Sequence, residues 1–287
     1  MSNTTAKKSL VFPGQGAQAA GMGQQLYNNC AAAKEIFDKL EAIRTGTLEQ
    51  CFNGTKEQLS LTINAQPCIF AVSLAGAASI SEDKSFDALA GFSVGEIAAI
   101  THSGMVCLED GFKMVIKRAE LMHTCASNTN GTMAAVLKLG NDKVENIASE
   151  CGVYPVNYNA PGQIVVSGLV DKIATFTEKA TAAGARVMPL AVSGAFHSPY
   201  MQEAADGFRE FLSTITFNKK KLPVYSNVTA SPYTGTEGEI KDLLSKQISS
   251  PVLWTATIKH MLKEGIEEFY EAEPGKVLTG LIAKIRQ

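Results

Sequence analysis

The chain has 287 residues, 45% apolar and 19% charged, which is an ordinary globular composition and not a disordered one. Lysine and arginine number 26 against 28 aspartates and glutamates, a net charge of −2. That balance argues against a protein that grips nucleic acid through its phosphates, and against polybasic or acidic interaction tails. No apolar run approaches the ~18 residues of a bilayer span. The six cysteines (Cys30, Cys51, Cys68, Cys107, Cys125, Cys151) are scattered without a C-x-x-C pair, and read as free thiols of a reducing compartment.

Lys7 and Lys8 precede a short apolar run, but Pro13-Gly14 follows instead of the apolar core of a secretory leader. The default expectation is therefore a cytoplasmic protein. Leu10–Phe12 reads as a buried strand stopped by Pro13 and Gly14. Residues 21–44 carry helical spacing, and Gln66–Ile80, apolar almost all round, predicts a helix buried on most sides. Phe86–Phe92 predicts a strand, Glu96–Thr101 a helix, and Leu108–Cys125 a helix opened by Glu109 and Asp110.

From Gly131 the rhythm changes. Strand 132–139, helix 141–150, strands 154–158 and 163–167, helix 171–183 and strand 186–192 give the order β-α-β-β-α-β, the signature of a ferredoxin-like module. Residues 128–198 are therefore expected to form a small inserted subdomain, with 1–127 and 199–287 forming one discontinuous large subdomain. In the latter, helix 200–214, strand 223–227, helix 241–248, helix 251–262, strand 266–271 and helix 275–285 follow. Alternating strands and helices predict an α/β core with a mostly parallel sheet.

Gly91-Phe92-Ser93-Val94-Gly95 lies between a predicted strand and a predicted helix. G-x-S-x-G alone is a weak pattern, and an inert serine in a tight turn weighs about equally on the motif by itself. The strand–turn–helix setting is that of a nucleophile elbow, which presents the serine at a helix N-terminus where the Val94 N–H can bind an oxyanion. A serine nucleophile needs a base. Of four histidines, His102, His123 and His260 fall in or at the ends of predicted helices and suit packed or surface roles. His197 instead follows a strand end in Gly194-Ala-Phe-His-Ser-Pro199, a loop position of the kind that carries function. Pro13-Gly-Gln-Gly-Ala-Gln18 reads as a flexible turn, or as a donor of backbone N–H groups at a strand's carboxyl end. Arg118 on a helix reads as a solvated residue unless it reaches the pocket, where it would bind a carboxylate. No metal-ligand spacing occurs.

Together these segments are recognisable. Phe12–Gln18, Asn64-Ala-Gln-Pro67, Gly91–Glu96, Arg118-Ala-Glu-Leu-Met122, Asn157-Tyr-Asn-Ala-Pro-Gly-Gln163, Gly194–Ser198 and Gln247-Ile-Ser-Ser-Pro-Val-Leu-Trp254 occur in order over almost the whole chain. The sequence resembles the malonyl-CoA:acyl carrier protein transacylase family. The resemblance implies a hydrolase-like α/β core with a ferredoxin-like insertion. It further implies Ser93 as acyl-accepting nucleophile, His197 as its base, and the backbone N–H groups of Gln15 and Val94 as the oxyanion hole. Arg118 would clamp the free malonyl carboxylate, and the Gln247 carbonyl would orient the histidine in place of a triad aspartate. Gln66 and Asn159 match positions that support the pocket. Many members have histidine where Phe92 stands, a departure that leaves the base untouched. Gly194-Ala-Phe-His197 and the aliphatic Val94 match members that favour malonyl over methylmalonyl.

The resemblance implies ping-pong transfer of malonyl from malonyl-CoA to a phosphopantetheinylated acyl carrier protein, without metal or tightly held cofactor, and without nucleic-acid or membrane partners. Two rivals are a serine hydrolase and a carrier-docking module with a dead site. Hydrolases of this fold order their triad Ser, Asp or Glu, then His, and no acid is marked here as the partner of His197. Intact Ser93, His197 and Arg118 speak against the dead site. Lys219-Lys220-Lys221 reads first as a solvated charge run and second as a docking patch for an acidic carrier.

Overall fold

The computed structural model describes residues 6–192, 194–219 and 221–287. The chain opens with strand β1 (Lys7–Phe12), then helices α1 (Gln24–Asn29), α2 (Ala31–Ile43), α3 (Thr47–Asn53), α4 (Lys56–Ser60) and α5 (Thr62–Ser81). Strand β2 (Ala88–Gly91), α6 (Val94–His102) and α7 (Leu108–Ser127) follow. Next come β3 (Gly131–Leu137), α8 (Asn141–Cys151), β4 (Tyr154–Ala160), β5 (Gln163–Leu169), α9 (Val170–Ala182) and β6 (Arg186–Pro189). The chain closes with α10 (Gln202–Leu212), β7 (Val224–Tyr225), α11 (Glu237–Lys246), α12 (Trp254–Lys263), β8 (Ile266–Glu271) and α13 (Val277–Ile285).

The strands form two sheets. The first runs β7-β2-β1-β8, parallel throughout. A parallel sheet is stable only when both faces are covered, and β1 shows how that is met. Leu10 and Phe12 point into a core shared with Phe37, Ile69 and Val72 of the helices on one face. Val11 points the other way, among Trp254, Ile258, Leu278 and Ile282 of α12 and α13. The second sheet runs β4-β5-β3-β6, antiparallel. It packs α8 and α9 on one face through Val144, Ile164, Ile173 and Phe176. Gly152 and Gly184, both at positive φ, end those two helices. The fold is thus α/β, with a parallel core sheet and a separate antiparallel one. Val252 joins them, because its N–H donates to Val156 and its carbonyl accepts from Tyr158.

Several boundaries differ from expectation. Helix α5 starts at Thr62 and runs through Pro67, whereas the sequence suggests a start near the proline. At 20 residues with a mean hydropathy of 1.4, α5 is long and apolar enough to cross a membrane, which corrects the expectation that no such segment exists. The helix is mostly buried inside the fold, between α2 and α7, so its apolar surface serves the core. Helices α3 and α4 were not expected. Helix α12 begins at Trp254 and not at 251, since Val252 is engaged with the second sheet. Helix α11 begins at Glu237, capped by Thr236.

Candidate active site

Strand β2 ends at Gly91 and α6 begins at Val94, so Phe92 and Ser93 make the whole turn. Ser93 takes φ 55° and ψ −112°, a strained backbone that persists only where its surroundings dictate it. Two constraints do so here. A Cβ at Gly91 would lie 2.0 Å from the Gly95 carbonyl, and one at Gly95 would lie 2.2 Å from the Phe12 oxygen. Only glycine lets strand and helix approach this closely. Two residues past the end of β7, Asn227 grips both sides of the turn. Its Oδ1 accepts the Ser93 N–H at 2.7 Å and its Nδ2 donates to the Gly91 carbonyl at 2.6 Å.

The serine is covered by three elements that are far apart in sequence. His197, also at positive φ, follows β6 and places Nε2 2.8 Å from Ser93 Oγ. Its Nδ1 lies 2.9 Å from the Gln247 main-chain oxygen. A carbonyl oxygen only accepts, so Nδ1 carries the proton and Nε2 is left to accept from the serine hydroxyl. Arg118 comes from α7 and is only 1% exposed. Its Nη2 donates to Ser93 Oγ at 3.0 Å and to Gln247 Oε1 at 2.9 Å, and its Nη1 donates to Gln66 Oε1 at 2.7 Å. Among the described residues no carboxylate comes within 4 Å of this guanidinium. Burial lowers the Arg118 pKa to about 10. Burial first, and the Arg118 cation second, push His197 down to about 4.

A cavity of about 80 Å³ opens on the serine, lined by Gln15, Gln66, Met122, Met133, Phe196 and His197. Val94 is the first residue of α6, so its N–H is one of the donors a helix leaves unpaired. Gln15 sits in the turn from Gly14 to Ala17 after β1, beside that cavity. Asn159 is not brought to the serine. It lines an adjoining chamber of about 240 Å³ with Gly14, Gln163 and Leu281, and the two chambers share Gln15, Phe92, Asn157 and Leu190. The Phe92 ring packs edge-on to Trp254, with centroids 5.6 Å apart, an apolar contact behind the serine turn.

The other histidines stay apart. His102 packs near Phe12, and His260 Nδ1 bonds the Ala230 carbonyl. Of the lysine run, Lys220 lies outside the described residues, Lys219 lines an open groove with Phe217 and Glu237, and the Lys221 stem rests on Gly104. Neither described lysine lines the serine cavity. All six cysteines are free, and no group of three or more His, Cys, Asp or Glu side chains among the described residues is placed to hold a metal ion.

Sequence reasoning missed Asn227 and the role of Glu96. Glu96 is fully buried and touches Gln247, Tyr233 and Asn227. A charged residue inside the otherwise apolar Val94–Ile100 stretch was the available signal.

Residues 9–284 match the acyl transferase domain family. The malonyl CoA-acyl carrier protein transacylase of Bacillus subtilis is 37% identical over 290 residues, covering 98% of this chain and 91% of that protein. That of Staphylococcus aureus strain MRSA252 is 38% identical over 289 residues, covering 98% and 93%. Among solved structures, the malonyl CoA-acyl carrier protein transacylase of Clostridium perfringens superposes with a TM-score of 0.92 at 34% identity, covering 98% of this chain and 90% of that one. A malonyl-transacylase in complex with its type II PKS acyl-carrier protein gives 0.94 at 30% identity, covering 98% and 93%.

Proposed function

We infer, because this chain belongs to the acyl transferase domain family, that it moves a malonyl group from malonyl-CoA to the phosphopantetheine thiol of an acyl carrier protein. The product is an extender unit for fatty-acid or polyketide synthesis. We assign the reaction to the cytoplasm, and the nucleophile and Arg118 to the large subdomain (1–127 and 199–287), with the small subdomain (128–198) walling the pocket and contributing His197 at its end.

The observation that carries the site assignment is the convergence on one atom. Ser93 Oγ is 2.8 Å from a histidine nitrogen free to accept and 3.0 Å from a buried guanidinium. In the first half-reaction His197 Nε2 takes the Ser93 proton as Oγ attacks the thioester carbon. The N–H groups of Gln15 and Val94 hold the oxyanion that forms. The carbon–sulfur bond breaks, and the proton passes from His197 to the departing CoA sulfur. Malonyl is left on Ser93, with its free carboxylate on Arg118 and Gln66 holding the guanidinium in place. In the second half-reaction the carrier thiol gives its proton to His197 and attacks the ester. Ser93 then leaves with that proton. Asn159 lines the adjoining chamber, where we place the pantetheine arm.

Brief exposure to malonyl-CoA followed by peptide mass spectrometry tests this. The malonyl adduct is expected on the peptide holding Ser93 and absent in Ser93→Ala. An adduct on another residue would remove the assignment.

A further inference from the structure

Glu96 takes no part in these steps, yet it is fully buried in the first turn of α6 at the centre of the site's polar network. Its two oxygens face in two directions. Oε1 accepts the Tyr233 hydroxyl at 2.5 Å and the Asn227 N–H at 3.2 Å, on the segment that grips the serine turn. Oε2 accepts Gln247 Nε2 at 2.6 Å. That same Nε2 also donates to the Ser93 carbonyl at 2.8 Å. The amide nitrogen of Gln247 is thereby committed, and its Oε1 can only face Arg118 Nη2, 2.9 Å away. The amide thus bridges a buried carboxyl and a buried guanidinium, with its dipole aligned to both. Three donors and no acceptor around the carboxyl suit its ionised form, although burial raises its pKa to about 7.

We propose that Glu96 is a positioning residue for Arg118. It locks the Gln247 amide so that the guanidinium keeps its place beside Ser93, and it thereby sets how strongly the site selects acyl groups with a free carboxylate. This rests on Arg118 being the carboxylate holder. In Glu96→Gln the new oxygen stays with Tyr233 and Asn227, so its NH₂ meets the NH₂ of Gln247. Relief requires Gln247 to flip, which turns a donor toward Arg118 and strips the Ser93 carbonyl of its partner. A buried group left unmatched in this way is costly.

The test measures acyl-serine formation from malonyl-CoA and from acetyl-CoA, with melting temperature as a fold control. The proteins are wild type, Glu96→Gln, Glu96→Asp and Arg118→Ala. Glu96→Gln is expected to lower malonyl kcat/KM by roughly 10- to 100-fold, about the size of one mismatched bond to a charged group, and acetyl by clearly less. The change in the malonyl-to-acetyl ratio is the readout, because a merely structural role would lower both rates together. Should Glu96→Gln fail to fold, Glu96→Asp, which keeps the charge but withdraws it from Gln247, must lower the malonyl-to-acetyl ratio in the same sense. An unchanged ratio in the folded variants, whether both rates fall together or neither does, overturns the proposal. Arg118→Ala separates the two levels. If it changes the ratio and the Glu96 variants do not, only the role of Glu96 fails. If Arg118→Ala also leaves the ratio unchanged, the carboxylate assignment itself fails.

Discussion

Gln247 holds His197 with its backbone and Arg118 with its side chain. The main-chain oxygen lies 2.9 Å from His197 Nδ1, and Oε1 lies 2.9 Å from Arg118 Nη2. One residue therefore orients the imidazole and positions the guanidinium through chemically separate groups. Substitution of its side chain removes the second function and keeps the first.

His197→Ala should lower turnover by on the order of 10⁴-fold or more, as loss of a base in such a unit does. Gln247→Ala keeps the carbonyl but loses buried bonds to Arg118, Glu96 and the Ser93 carbonyl. It should cost roughly 10- to 10³-fold, more than a surface change but well short of the histidine. Single-turnover acylation of both variants checks the order, and equal losses would mean that the carbonyl is not what holds the ring.

His197 should remain neutral well below the usual histidine range. Burial and the Arg118 cation both disfavour its protonated form and bring the pKa to about 4. The base form, which must accept the serine proton, then persists as pH falls through 6 and is lost only near 4. Ring ¹³C or ¹⁵N shifts should stay flat between pH 8 and 5. In Arg118→Met the second cause is gone, so the pKa should move up, with burial still holding it below 6.5. A wild-type titration near 6.5 would contradict this.

Asn227→Ala should loosen the serine turn. The asparagine satisfies the Ser93 N–H and the Gly91 carbonyl together, and Ser93 sits at φ 55°. Buried partners left unpaired cost roughly 1–3 kcal/mol each. A fall in melting temperature together with slower acylation is expected. Full activity with lowered stability would show that the turn holds its shape without this clamp.

Much of the layout is legible in sequence, because local signals specify it. The ferredoxin-like order follows from alternating strand patterns and from helices ended by Gly152 and Gly184. The elbow follows from glycines spaced where strand and helix must touch. Local signals also misled. The apolar run reads as a helix from Gln66, yet tertiary packing carries α5 through Pro67 from Thr62. The capping boxes of Thr55 with Gln58 and of Thr236 with Glu239 mark the starts of α4 and α11, but lie among polar loop residues that mask them. The polar network is a different matter. Glu96 meets Asn227, Tyr233 and Gln247 across more than 130 positions of chain, and nothing within one helical turn of Glu96 names those partners.

Arg118 should set acyl specificity. Its guanidinium is buried with three neutral oxygens for company, from Ser93, Gln66 and Gln247, and the carboxyl of Glu96 reaches it only through the Gln247 amide. A buried cation without a directly bonded anion favours a ligand that brings one. Malonyl differs from acetyl by one carboxylate at the far end of the acyl group, and the planar guanidinium can offer that carboxylate two parallel donors. Removing one partner of a buried charge pair costs roughly 2–5 kcal/mol, or about 30- to 5,000-fold in malonyl kcat/KM. Lysine cannot match the fork, so Arg118→Lys should also be impaired. Acetyl-CoA has no carboxylate to lose, so its acylation of Ser93 in Arg118→Ala should change little or rise, tempered by loss of the Nη2 bond to Oγ. The expected outcome is a changed ratio and not only a slower enzyme. Rates of acyl-serine formation from both thioesters measure it. If malonyl and acetyl fall by the same factor, Arg118 serves the serine alone and the carboxylate must be held elsewhere.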